Sequence, residues 1–295
     1  MKPLITKPGI YANITCEQYF AEPCPAPALT NSGIRALVSS CPAKFAHLHP
    51  AIGAPAEEAG DSAARRLGNV VHRLALGKGA DYAVSPHDDY RSKEAKAWRD
   101  ETEAKGLIPV KQAEFEKAQA MATTIREGIE RETRGEPYQT EVVMAWRRTV
   151  GDFDIWCRGM LDVWCPSLNL ALDVKTCLDA GDRAIPRLFA GGYANQDAWY
   201  RSGLDAISGD PGRVRFGFLF VEKAEPYLYR YAEADEAFRY GAQLINDRAA
   251  AIFARCLKSG EWPGYRPIIA TPPAWWLGDL TTTDDDTTTD YEEAA

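Results

Sequence analysis

Two apolar-alternating segments joined by a short turn constrain this chain more than any other stretch. In residues 155–164, Ile155, Cys157, Leu161 and Val163 alternate with Trp156, Arg158, Met160, Asp162 and Trp164. In residues 170–175, Leu170, Leu172 and Val174 alternate with Ala171, Asp173 and Lys175. A period of two marks a strand, and Pro166-Ser167-Leu168-Asn169 supplies turn chemistry. The two arms predict an antiparallel hairpin. With the turn centred between Ser167 and Leu168, Asp162 falls directly across from Asp173. Such partners lie about 4.5–5.5 Å apart at Cβ. Two carboxylates that close can share a divalent cation, and oxygen donors suit Mg2+ or Mn2+. Lys175 projects from the same face as Asp173. The Val174 side chain points to the core, which leaves its carbonyl free to join the metal shell. A cation polarises a phosphoryl oxygen and activates water, and a lysine beside it stabilises developing charge. This is chemistry suited to a phosphodiester. The plainer reading, an ordinary charged surface hairpin, is weakened by the acid facing Asp173.

The remaining pattern builds helices and strands around that hairpin. Residues 1–29 hold several prolines and little periodicity, which predicts an extended N-terminal segment. Thr30 or Asn31 caps a helix through Ile34 and Leu37, and Ser40-Cys41-Pro42-Ala43 stops it. Residues 53–61 read as a polar loop. Leu67, Val71 and Leu74 form one stripe of a helix over 63–76. Helices are predicted over 91–105, 111–134, 193–207 and 235–257, and strands over 141–146, 213–221 and 227–231. The order is helices, three strands, helix, two strands, helix. It predicts a small mixed sheet in an α/β or α+β fold.

Several function classes are excluded by what the chain lacks. No apolar run approaches the roughly 20 residues of a membrane span, and no basic segment followed by an apolar one opens the chain as a secretory signal would. Seven cysteines, at 16, 24, 41, 157, 165, 177 and 256, are odd in number and show no CxxC spacing. They read as reduced thiols rather than a disulfide framework or zinc site. The net charge of −8 argues at first against a nucleic-acid partner. Six acidic groups, however, lie in residues 281–295, and removing them leaves −2. That tail is polar and of low complexity, and is expected to be disordered. A body near neutrality can still carry a basic channel.

Four further residues are candidates for the site. His72 follows Gly68 by four residues, so the two share a helix face, and the glycine leaves room for a metal or phosphate. A histidine beside an apolar stripe can equally be structural. Gln196 and Tyr200 are also four apart. Together they can hold a phosphate or a water, or simply belong to an amphipathic helix. Glu141, on the strand before the hairpin, can reach a metal through water or stand as an exposed acid.

Taken in order, GNVVHRLAL (68–76), TEVV (140–143), RGMLDVW (158–164), LDVKT (172–176) and NQDAWY (195–200) resemble the His, Glu, Asp, DxK and QxxxY elements of the PDDEXK nuclease superfamily. The branch they resemble is that of RecE-type phage and prophage exonucleases, related to lambda-type exonuclease and the RecB nuclease domain. RSKEAKAWRDETEAKG (91–106) and EWPGY (261–265) are similar to segments of that branch.

The resemblance spans roughly residues 30–265 and implies an α/β nuclease domain over 30–280, with a central mixed sheet flanked by helices and a helical insertion at about 85–135. It implies His72, Asp162, Asp173 and the Val174 carbonyl around Mg2+, for which Mn2+ can substitute. Lys175 would activate the water, and Gln196 and Tyr200 would hold the DNA backbone; Glu141 is an accessory candidate. Here the second acidic slot is Asp173 rather than glutamate. Some members carry an iron–sulfur cluster on one early and three late cysteines. Only Cys256 follows Cys177, so no cluster is expected.

By resemblance the substrate is linear duplex DNA, degraded 5′ to 3′ in phage-type recombination in the bacterial host cytoplasm. A single-strand annealing partner and a ring-shaped oligomer are further implications. An endonuclease on the same core and a non-catalytic DNA-binding protein are the alternatives.

Overall fold

The computed structural model of the protein describes residues 2–53, 63–273 and 276. Residues 54–61 of the loop expected at 53–61, Trp275 and the acidic tail lie outside the described residues. The chain divides into two units, Met1–Pro263 and Gly264–Ala295. The elements and the site described below belong to the first.

Its elements run β1 (Gly9–Tyr11), α1 (Cys16–Phe20), β2 (Ala28–Leu29), α2 (Asn31–Ser39), α3 (Pro42–Leu48), α4 (Ala63–Leu76) and β3 (Tyr82–Val84). Next come α5 (Lys93–Ala104), β4 (Ile108–Val110), α6 (Gln112–Thr133), β5 (Gln139–Val150), β6 (Phe153–Cys165) and β7 (Leu170–Cys177). A short α7 (Ile185–Leu188) leads through a wide turn, Phe189–Tyr193, into α8 (Ala194–Ser208), and β8 (Arg215–Glu222), β9 (Tyr229–Ala232) and α9 (Glu236–Ser259) complete the unit.

The central sheet has the order β1-β5-β6-β7-β8-β9, with β2 added beside β6. It is mixed. β7 and β8 are parallel, as are β2 and β6, while β1–β5, β5–β6, β6–β7 and β8–β9 are antiparallel. A parallel neighbour needs a crossover, which α8 provides between β7 and β8. Helices cover both faces, so β8 is apolar on both sides. Phe216, Phe218 and Phe220 join α2, α8 and α9 in one core, and Leu219 and Val221 join α4 and α6 in the other.

Three expectations change. Residues 1–29 are not merely extended. They contribute β1, β2 and a helix whose N-cap, Thr15, forms a reciprocal capping box with Gln18. Strands of two or three residues are too short to show a period, and their pairing with β5 and β6 specifies them. The expected helical insertion contains a strand, β4, paired in parallel with β3 just before it, and α6 is no appendage: Met121, Ile125 and Ile129 are fully buried. Finally, β5 runs past Trp146 to Val150, because a Gly151-Asp152 turn, with Gly151 at φ 62°, closes a two-residue hairpin onto β6.

Candidate active site

The β6–β7 hairpin sets the site. Its register pairs Cys165 with Leu170, Trp164 with Ala171 and Val163 with Leu172. A single 3-10 turn, Pro166–Leu168, and Asn169 at φ 47° close it. Asparagine is among the few residues that adopt this left-handed conformation readily. Continued by one step, the register would pair Asp162 with Asp173, but the ladder ends at Val163–Leu172. The Val174 amide instead donates to Asp162 Oδ2 at 2.7 Å. The two strands part at the acidic pair, while β7 stays paired along its length with β8.

A second irregularity falls at the same place. Residues two apart on a strand normally share a face. Leu161 nonetheless belongs to the core under α8, and Val163 to the core under α4 and α6. Between them stands Asp162. Opposite, in the β5–β6 register, stands Glu141, at φ 47°. The strand pair turns over here, which brings the acids to a point reached from both helical layers. A non-glycine residue held at positive φ inside a strand stores strain of order 1–3 kcal/mol.

From one layer comes His72 on α4. Its Nε2 lies 3.1 Å from the Val174 carbonyl oxygen and 3.8 Å from Asp162 Oδ2. A carbonyl can only accept, so Nε2 donates in this metal-free arrangement. From the other layer comes Gln196 on α8. Its Nε2 donates to Asp173 Oδ1 at 2.5 Å. The Lys175 ammonium pairs with Asp173 Oδ2 and lies 5.8 Å from the centre of the Tyr193 ring. Tyr193 was not singled out from sequence. Its one signal is position, three residues before Gln196 and so on the same side of the helix start.

Electrostatics follow burial. Asp173 is 2% exposed. Burial pushes its carboxyl up to about 6 against the pull of Lys175, and Asp162 adds to the rise. Burial lowers the Lys175 ammonium, but Asp173 and Asp162 outweigh this and hold it above its ordinary value. Glu141 is raised by burial and by Asp162, and a Cβ at Gly79 would lie 3.3 Å from its Oε1. Tyr200 is buried under β6, with its ring edge 2.8 Å from where a Cβ at Gly159 would sit. Burial pushes its phenol well above the ordinary range. Gln196 and Tyr200 are both buried. Gln196 orients a carboxylate, and Tyr200 supports the strand that carries Asp162.

Among the described residues, no three His, Cys, Asp or Glu side chains stand close enough to enclose an ion by themselves. His72, Asp162 and the Val174 carbonyl lie together, and Asp173, next in the chain to Val174, holds its oxygens toward Gln196 and Lys175. Asp173 Oδ2 is buried without a hydrogen bond, and only the lysine charge lies against it. This donor set fits a hard cation that keeps several waters and uses one or two carboxylates, as Mg2+ does.

A family model described as a PDDEXK-like domain of unknown function (DUF3799) matches residues 32–267. No curated protein matches the chain in sequence. Among solved structures, one from Eubacterium rectale, provisionally described as an exonuclease, aligns over 92% of this chain and 97% of its own. Its TM-score is 0.54 at 15% identity, a likeness of fold. A second, SSO0001, aligns over 51% of this chain and 69% of its own at 15% identity, with a TM-score of 0.27.

Proposed function

The chain belongs to this PDDEXK-like family, and from that premise we propose that it is a divalent-metal-dependent deoxyribonuclease that shortens linear duplex DNA from its ends. The observation that carries the reading is the parting of β6 and β7 at Asp162 and Asp173, with Lys175, His72 and the Val174 carbonyl beside them. Asp162, Asp173, His72 and that carbonyl would hold the cation, Mg2+ by donor chemistry and Mn2+ as substitute. When bound, the cation polarises a phosphoryl oxygen and lowers the pKa of a water.

The remaining work falls to side chains. Lys175, freed from Asp173, carries positive charge beside the attacking water and the charge that develops on phosphorus oxygens. Gln196 fixes the rotamer of Asp173. Burial of Asp173 excludes water that would screen these charges. Glu141 is an accessory acid on the Asp162 side.

End-dependence rests on the resemblance to RecE-type exonucleases, carried by residues 91–106 and 261–265 as well as the site motifs, and on the provisional description of the Eubacterium rectale neighbour. The same resemblance supports 5′ to 3′ polarity, a role in phage-type recombination, a single-strand annealing partner and a ring of subunits. No helix among the described residues is long and apolar enough to cross a membrane; work in the bacterial host cytoplasm is supported by the same resemblance.

The deciding assay incubates protein and Mg2+ with linear and covalently closed DNA of one sequence. The linear duplex is expected to shorten from its termini to a single-stranded remainder. The closed circle is expected to survive until a restriction enzyme opens it. Rapid fragmentation of the closed circle would establish an endonuclease instead, and inertness toward both a non-catalytic binding protein.

A further inference from the structure

Arg35 is exposed on α2 and, among the described residues, its guanidinium has no hydrogen-bond or ion-pair partner. It is nonetheless not an isolated surface charge. Its Nε lies 3.8 Å, and its Cζ 4.0 Å, from where a Cβ at Gly192 would sit. Gly192 has φ 128°, a conformation in which a side chain is strained whatever the space. The next residue is Tyr193, whose ring lies below the Lys175 ammonium. Arg35 thus borders the glycine turn, and the turn leads directly into the tyrosine that lies against Lys175. Gly191, beside it, is exposed, and a Cβ there would meet nothing within 4 Å.

Two adjacent glycines, one with open space in front of it and one flanked by a guanidinium, let a ligand approach the backbone closely. We propose that Arg35 and the Gly191-Gly192 turn bind a phosphodiester of the DNA strand and position it for hydrolysis next to Lys175. The inference rests on the nuclease reading and adds a substrate contact to it. Guanidinium suits this task because its planar fork matches two phosphate oxygens.

The test uses the full chain with R35A, R35K and G191A. Binding of fluorescent duplex is measured in Ca2+ across a salt series, and cleavage is measured in Mg2+. R35A is expected to lower the slope of log Kd against log salt by about one, the effect of one lost phosphate contact. It is expected to raise KM roughly tenfold with kcat within about twofold, and R35K to recover part of the loss. G191A is expected to leave the melting temperature unchanged or higher, since alanine suits a helical turn better than glycine, and yet to raise KM. A purely structural glycine would not separate stability from KM in this way. If wild type cleaves and R35A keeps the wild-type salt slope and KM, this inference falls alone. If wild type neither binds nor cleaves DNA, the nuclease reading falls with it.

Discussion

Asp173 and Lys175 form a pair in which burial sets the terms. The buried Asp173 carboxyl titrates at about 6, above its ordinary 3.8. A raised carboxyl contributes stability that is complete below the lower value and is lost as pH rises through the upper one. Asp173 therefore contributes less to the stability of the metal-free protein above pH 6 than below pH 4. Asp173→Asn removes the partner of Lys175 at every pH but the ionisation of Asp173 only above about 6, so it is expected to flatten the fall in melting temperature between pH 4.5 and pH 7.5, read by scanning calorimetry. An equal effect at both values would show that ionisation is not the source.

The same titration predicts that Mn2+ binding weakens as pH falls through about 6. Roles divide cleanly between the two residues. Asp173→Ala is expected to abolish metal binding and cleavage together. Lys175→Ala is expected to keep Mn2+ affinity in calorimetric titration while cleavage slows by roughly 10²-fold, the scale of one lost electrostatic stabiliser. Normal cleavage by Lys175→Ala would reduce the lysine to a surface charge.

At the scale of elements, the site depends on how α8 is seated against the sheet. Trp146 of β5 and Trp199 of α8 pack with ring centres 5.0 Å apart, and the Trp199 indole donates to the Arg158 carbonyl of β6. Gly203 lets the helix approach, since a Cβ there would lie 2.8 Å from the Trp146 ring. Gly203→Ala is expected to cost about 1–3 kcal/mol by overpacking, seen in urea denaturation. Because α8 carries Gln196, the same variant is expected to weaken Mn2+ binding. The Asn195 side-chain amide donates to Asn246 Oδ1, and the Asn246 amide donates back to the Asn195 backbone carbonyl, which ties the start of α8 to α9, one residue from Gln196. A Gly203→Ala protein with wild-type stability would mean that Trp146 yields its position at no cost.

For the whole molecule, two helical layers meet one site through a sheet that opens between them. His72 arrives from the α4 layer and Gln196 from the α8 layer. Loss of metal is thus expected to be global in effect: EDTA should abolish cleavage, and Mg2+ or Mn2+ should restore it. Full activity in chelator would remove the metal from the reading. Residues 281–295 hold six acids and almost no apolar side chain. Their deletion is expected to leave folding and the chemical step unchanged and to tighten DNA binding at low salt, where repulsion between like charges is least screened. A truncated protein that fails to fold would assign the tail a packed role.

Period and punctuation along the chain suffice for the major helices, for the β6–β7 hairpin and even for its register, because these depend on neighbours a few residues apart. Thr30 does cap α2, accepting from the Gly33 amide, and the helix predicted over 63–76 is α4. The acids, lysine, histidine and glutamine of the site were legible as residue types at spacings that chemistry favours. Other features depend on groups far apart in the chain and have no local period to betray them. β1 and β2 exist only as partners of β5 and β6. His72 meets Val174 across 102 positions. The end of the ladder at Val163 and the overturned step at Asp162 and Glu141 arise where two cores compete for one strand. That competition is settled by packing against helices on both faces, and so only the tertiary structure decides it.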